Sequence, residues 1–261
     1  MPRISVFARL ANGNVAPKRV IEGQTTNLSR TMHGIAYDAI HDEIVIPVAL
    51  SGAVLVFKAD ASGEVPPLRA IQGTRTRLVR PHTVAVDPVR NVIVASSRKG
   101  NGEKVGIFVF DRLASGDVPP KQFIGGPNSK LAHFRQVAID PGTGNIFLAQ
   151  QNTRMKQMEA YVLDQPREGF KARERDRDDE DDDSDSGRLD QMGFIAVYAP
   201  DDNGDIPPRA IIKGPGIRLA GAAGVALNLK KKEIITVGGN GFQTFLLPEF
   251  FKAFKKPGTA Q

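Results

Sequence analysis

The sequence predicts an all-β protein built by repetition, on three observations. The same residue types recur in the same order in four segments beginning at Ile4, Val54, Ile107 and Ile195. Within each segment four short apolar runs are separated by turn signals every ~8–12 positions, the spacing of short strands. Glycine (26) and proline (18) are abundant while tryptophan and cysteine are absent, which favours many short strands joined by turns over a helical bundle, and the alternating four-strand unit excludes a helical solenoid.

Each element of the unit has its own reason. The opening strand reads ISVFAR, VLVFKA, IFVFDR and IAVYAP in the four copies, runs rich in the β-branched and aromatic residues that strands favour. The turn after it reads ANGNVAP, ASGEVPP, ASGDVPP and DNGDIPP, with Gly13, Gly63, Gly116 and Gly204 at one position. A second strand ends at Gly23, Gly73, Gly126 and Gly214. The proline pairs at 66–67, 119–120 and 207–208 precede it, and because proline is tolerated at a sheet edge this strand is expected outermost. The third strand is GIAYD, TVAVD, QVAID and GVALN; the fourth is EIVI, NVIV, NIFL and EIIT. Four strands repeated head to tail are the blade of a β-propeller. The expected fold is a β-propeller of four to five four-stranded antiparallel blades, with residues 1–261 as one domain. GFQTFLLPEFF reads as a fifth copy of the opening strand. Closure then has two forms: the N-terminal strands complete the last blade as a clasp, or an open arc pairs as a homodimer through its exposed edge.

In motif terms PHTVAVDPVRNVIVAS and its three siblings resemble the NHL-type propeller repeat, over nearly all of the chain outside residues 155–191. The resemblance implies the fold. That family includes enzymes, sensors and protein- or RNA-binding modules, so function has to come from sites.

The copies stop matching at one place. Val6, Val56 and Val109 are 50 and 53 residues apart, but Val197 follows 88 later. The excess falls at 155–191, between the NIFL and IAVY strands, and holds the run RERDRDDEDDDSDSG, which cannot bury apolar surface and is expected to be a solvated, flexible acidic loop. Asp181, Asp183 and Asp185 alternate as hard oxygen ligands do, yet the spaced glycine and closing glutamate of a calcium loop are missing. Calcium therefore has little to hold it. Residues 155–191 carry 7 basic and 13 acidic side chains, net −6, so the rest of the chain carries +6 − (−6) = +12. That surplus attracts polyanionic partners with strong salt dependence. The basic residues are scattered and no aromatic residues interleave with them, so specific nucleic-acid binding is not expected.

Candidate ligands converge at the entrance of the third strand. Equivalent positions there carry His33, His82, Arg135 and Ala223, and in a propeller these meet at the mouth of the central channel, on the face that also carries the insertion. Two imidazoles and a guanidinium suit either a metal such as zinc, with His33 and His82 as ligands, or an anion clamped by Arg135. PHTVAVDP also looks like the matching segment of peptidyl-amidating lyases, NHL-type propellers whose central zinc sits on histidines at blade entrances. That likeness implies a zinc-dependent lyase or lactonase-type hydrolase. Against it, the third copy offers Arg135 with His133 two residues earlier, the fourth offers alanine, and no cysteine answers the lyases' disulfides. Asp38, Asp87, Asp140 and Asn228 are expected to be strand-exit turn residues, with His41 in such a turn. No GxSxG, HExxH or phosphate loop is present. The function expected is a non-catalytic binding or scaffold module that presents its channel face to a protein, a polyanion or a small anionic ligand. No apolar run is long enough for a signal peptide or a membrane span. The compartment stays open, and export is expected if the N-terminus is truncated.

Overall fold

The computed structural model describes residues 1–97, 105–131, 134–150, 193–213, 224–238 and 241–254. The acidic insertion, the calcium reading, His133 and Ala223 lie outside the described residues. Within them there is no α-helix, and seventeen strands form antiparallel sheets. Three sheets are complete four-stranded blades. The first is β3 (Ala36–Asp38), β4 (Glu43–Val48), β5 (Ala53–Lys58) and β6 (Arg69–Ile71). The second is β7 (Pro81–Asp87), β8 (Val92–Ser97), β9 (Gly106–Asp111) and β10 (Gln122–Ile124). The third is β11 (Phe134–Ile139), β12 (Ile146–Gln150), β13 (Phe194–Tyr198) and β14 (Ala210–Ile212). A fourth blade contributes three strands, β15 (Gly224–Asn228), β16 (Glu233–Gly238) and β17 (Gly241–Leu246). At the other end β1 (Arg3–Val6) and β2 (Arg19–Glu22) pair as an outer half-blade.

The β-propeller read from the sequence is the fold observed. Each blade is offset from the sequence unit, taking its inner two strands from the end of one unit and its outer two from the start of the next. The strands that follow the proline pairs, β6, β10 and β14, are outermost as expected. The inner strands pack in succession, β3 on β7, β7 on β11 and β11 on β15. A clasp by β1 onto the last blade is not what the structure shows, because the edge of β16 is taken by β17.

A repeated device joins the blades. Gly63 donates its N–H to the Val20 carbonyl at 2.7 Å and accepts from Glu22 N at 3.2 Å. Gly116 does the same with Ala70 and Gln72, and Gly204 with Phe123 and Gly125. These glycines sit at φ +77°, +75° and +85°, left-handed conformations that glycine adopts without steric cost. The acidic residue after each glycine caps the tight turn that follows the preceding outer strand, a 3-10 turn at Gln24–Thr26 and Thr74–Thr76. Glu64 accepts from Thr25 N at 3.0 Å, Asp117 from Arg75 N at 2.6 Å, and Asp205 from Asn128 N and Ser129 N at 2.8 and 3.1 Å.

The core is divided into layers between neighbouring blades. Val45, Val56 and Ile71 of the first blade meet Val84, Ile93 and Phe110 of the second; Val94, Val109 and Ile124 meet Val137, Ile146 and Tyr198 of the third. The middle strands are therefore covered on both faces, and β4, β5 and β12 are apolar almost without interruption instead of alternating. Phe57, Phe110 and Tyr198, at one repeat position, are all essentially inaccessible.

Candidate functional site

Each inner strand runs from one face of the propeller to the other, which separates two sets of residues. At the entrance face His33 lies three residues before β3, while His82 and Arg135 are the second residues of β7 and β11. The His33 and His82 rings stack, with centroids 4.3 Å apart and planes 12° from parallel. His82 Nδ1 is 3.3 Å from the Arg135 carbonyl oxygen. A carbonyl only accepts, so Nδ1 carries the proton in this contact. His82 is buried, Arg135 half-buried and His33 exposed. Three successive blades thus bring the three predicted residues into one row.

Local folding explains the row. Gly34, next to His33, lies close against β7, where an added Cβ would come within 3.2 Å of Thr83 Cα. Absence of a side chain there lets the first blade approach closely enough for the rings to stack. At the same repeat position Thr83 Oγ1 accepts from Val137 N at 3.4 Å, and Gln136 Oε1 accepts from Val225 N at 3.2 Å. Thr83 and Gln136 were not singled out in the sequence, although the variation Gly34, Thr83, Gln136, Gly224 within an otherwise regular strand marks them. They fix the spacing of the inner strands on which the row stands.

The stacked arrangement bears on metal binding. Imidazole lone pairs lie in the ring plane, so two rings face to face do not aim them at a common ion. Among the described residues no group of three His, Cys, Asp or Glu side chains is placed to hold a metal. The row sets two stacked imidazoles, His33 exposed and His82 buried, beside the backbone of Arg135.

The strand ends that flank the insertion also lie at the entrance face. Ser97, the last residue of β8, pairs with Pro81, and Gln150, the last of β12, pairs with Phe134. The strand ends on either side of 98–104 and 151–192, and the start of β15, therefore lie at the same end of the blades as His82 and Arg135. Among the described residues no helix is long and apolar enough to cross a membrane.

The opposite face holds the aspartates, and they are occupied in turns. Asp38 accepts from Ile40 N and His41 N, and its Oδ2 lies 2.8 Å from His41 Nδ1. Burial pushes the Asp38 carboxyl up, but the hydrogen bonds from the His41 backbone and ring and from Ile40 N outweigh it and hold it below the usual range. Asp87 accepts from Val89 N and Arg90 N, and Asp140 from Gly142 N and Thr143 Oγ1. These are the strand-exit turns expected of them, with His41 inside the first.

No family model matches the chain, and no curated protein matches it. Among solved structures the chain is similar to one in the crystal structure of a nidogen/laminin complex, at 12% identity and TM-score 0.49, over 82% of this chain and 60% of that one. It is also similar to Kuenenia stuttgartiensis hydrazine synthase (10% identity, TM-score 0.47, 82% of this chain and 49% of that one) and to the WD40 β-propeller domain of Doa1 (9%, 0.46, 87% and 53%). The chain thus spans between about half and three-fifths of the lengths of those it resembles.

Proposed function

We propose that this propeller is a non-catalytic binding module whose ligand face is the channel entrance around His33, His82 and Arg135, and that it recognises an anionic group on its partner. The observation that supports this most is the row itself. Equivalent positions in three repeat units carry two histidines and an arginine, and the His33 and His82 rings stack beside the backbone of Arg135 at the entrance face. The stacked rings favour an anion beside Arg135 over a chelated zinc. The basic surplus outside 155–191 works in the same direction by drawing acidic partners to the surface.

The test uses a sulfated oligosaccharide as the probe, titrated by calorimetry at two salt concentrations. Arg135→Ala should weaken binding roughly tenfold, the worth of one charge-assisted hydrogen bond, without lowering the melting temperature. Arg135→Lys should recover only part of the loss, since lysine lacks the bidentate fork. Equal affinity in wild type and Arg135→Ala would dispose of the reading.

A further inference from the structure

The blade junctions reveal a fourth clasp whose two halves are both present but apart. At three junctions an outer strand receives the glycine turn of the next unit, through the pairs Ile21 with Gly63, Ile71 with Gly116 and Ile124 with Gly204. The equivalent residue of β14 is Ile212, and among the described residues no glycine turn pairs with it. The equivalent unused turn is at the other end of the chain, at Gly13. That glycine has the same left-handed φ, +71°, and the same open space at Cβ as the three engaged glycines, and among the described residues it pairs with no outer strand. Asn14 follows it where the engaged turns carry Glu64, Asp117 and Asp205, and its side-chain carbonyl can accept a hydrogen bond as they do.

Two independent observations concern the strand attached to that turn. Phe7 is equivalent to Phe57, Phe110 and Tyr198, which are fully buried, yet Phe7 is 50% exposed. In the last blade Thr236 on β16 is buried, and its hydroxyl has no hydrogen-bond partner among the described residues. Opposite it on β17 stands Gln243, whose Oε1 is likewise buried and unsatisfied. The blade registers (Ile46 with Leu55, Ala95 with Phe108) set Ser5 of β1 opposite Thr236 if β1 takes the third place in this blade. A Ser–Thr cross-strand pair satisfies that hydroxyl. β17 pairs with β16 over six residues yet leaves Phe242 81% and Leu246 68% exposed, whereas its equivalents β5, β9 and β13 are buried.

We infer that the β1–β2 hairpin of a second copy of this chain displaces β17, completes the last blade beside β15 and β16, and docks its Gly13 turn on β14. A second copy is the source because the chain's own hairpin is a separate sheet, clasped to the first blade at Gly63. Nor, among the described residues, does β15 contact β3 as extensively as the other inner strands contact one another. The interface is polar backbone at the turn and aromatic burial at Phe7.

The chain has no cysteine, so introduced thiols report without background. Ser5→Cys and Thr236→Cys are purified separately, mixed and oxidised gently. The expected result is a disulfide-linked heterodimer of twice the chain mass, formed only on mixing, together with a dimeric wild type in sedimentation velocity. In the double variant, a disulfide confined within one chain would assign the hairpin to its own last blade and overturn the exchange between copies. Absence of any cross-link, with both single variants folded by circular dichroism, would overturn the exchange altogether.

Discussion

The space between the first and second blades and the space between the second and third are built from equivalent positions and filled in opposite ways. In the first, Glu43 Oε2 accepts from Arg69 Nη2 and from Arg112 Nη1, each at 2.8 Å, and Arg112 Nε donates to Asn91 Oδ1 at 2.9 Å. In the second, those four positions are Val92, Gln122, Pro200 and Gly144, and a cavity of about 350 Å³ remains, floored by Val94, Val109 and Ile146. Arg90 bridges its rim by donating to Asp87 and to the Pro141 carbonyl. The backbone clasp is the same at both junctions. Repetition thus specifies how blades attach, while each junction fills its side-chain space separately.

The largest way to break this contrast is Glu43→Ala. Both arginines would be left in a largely buried space without their shared carboxylate, a loss of ~3–5 kcal/mol, read as a lower denaturation midpoint. The sign with pH follows from the same contacts. Burial pushes the Glu43 carboxyl up, but Arg69 and Arg112 outweigh it and hold it below the usual glutamate range. A lowered folded-state pKa stabilises above the unfolded value, about 4.3, and that contribution disappears as pH falls through the folded one. Glu43→Gln should therefore be less stable than wild type at neutral pH, and the gap should shrink on acidification below about pH 4.3.

A smaller and opposite pair of effects sharpens the contrast. Val45 and Val94 are equivalent, one facing the filled junction and one the cavity. Val45→Ile should cost ~1–3 kcal/mol by overpacking, whereas Val94→Ile should gain ~0.5–2 kcal/mol by filling space. Thermal denaturation of the two variants side by side decides this. Equal signs would mean that the two junctions are not packed differently.

Much of the fold was legible because its signals are local. Prolines 66–67, 119–120 and 207–208 marked the outer strands, and Asp38, Asp87 and Asp140 marked strand-exit turns, since both depend on the chemistry of a few consecutive residues. The unbroken burial of β4 and β5 was not, because cover on the second face comes from the next blade. Nor was the ion cluster: Glu43, Arg69 and Arg112 are far apart in sequence, and each replaces a valine, glutamine or proline found in a sister unit. That mismatch was the available signal. At the candidate site, position in the repeat placed His33, His82 and Arg135 on one face, but the ring stack depends on the approach permitted by Gly34. Side-chain orientation of that kind is decided between strands and has no local signature.

The two faces of the propeller supply their own control for the proposed function. Backbone amide shifts recorded by NMR during titration with the sulfated oligosaccharide test it most directly. The account predicts perturbations around His33, Gly34, His82, Thr83, Arg135 and Gln136, with the turns at Asp38, Asp87 and Asp140 unmoved. Perturbations centred on those aspartate turns, or spread evenly over both faces, would contradict it.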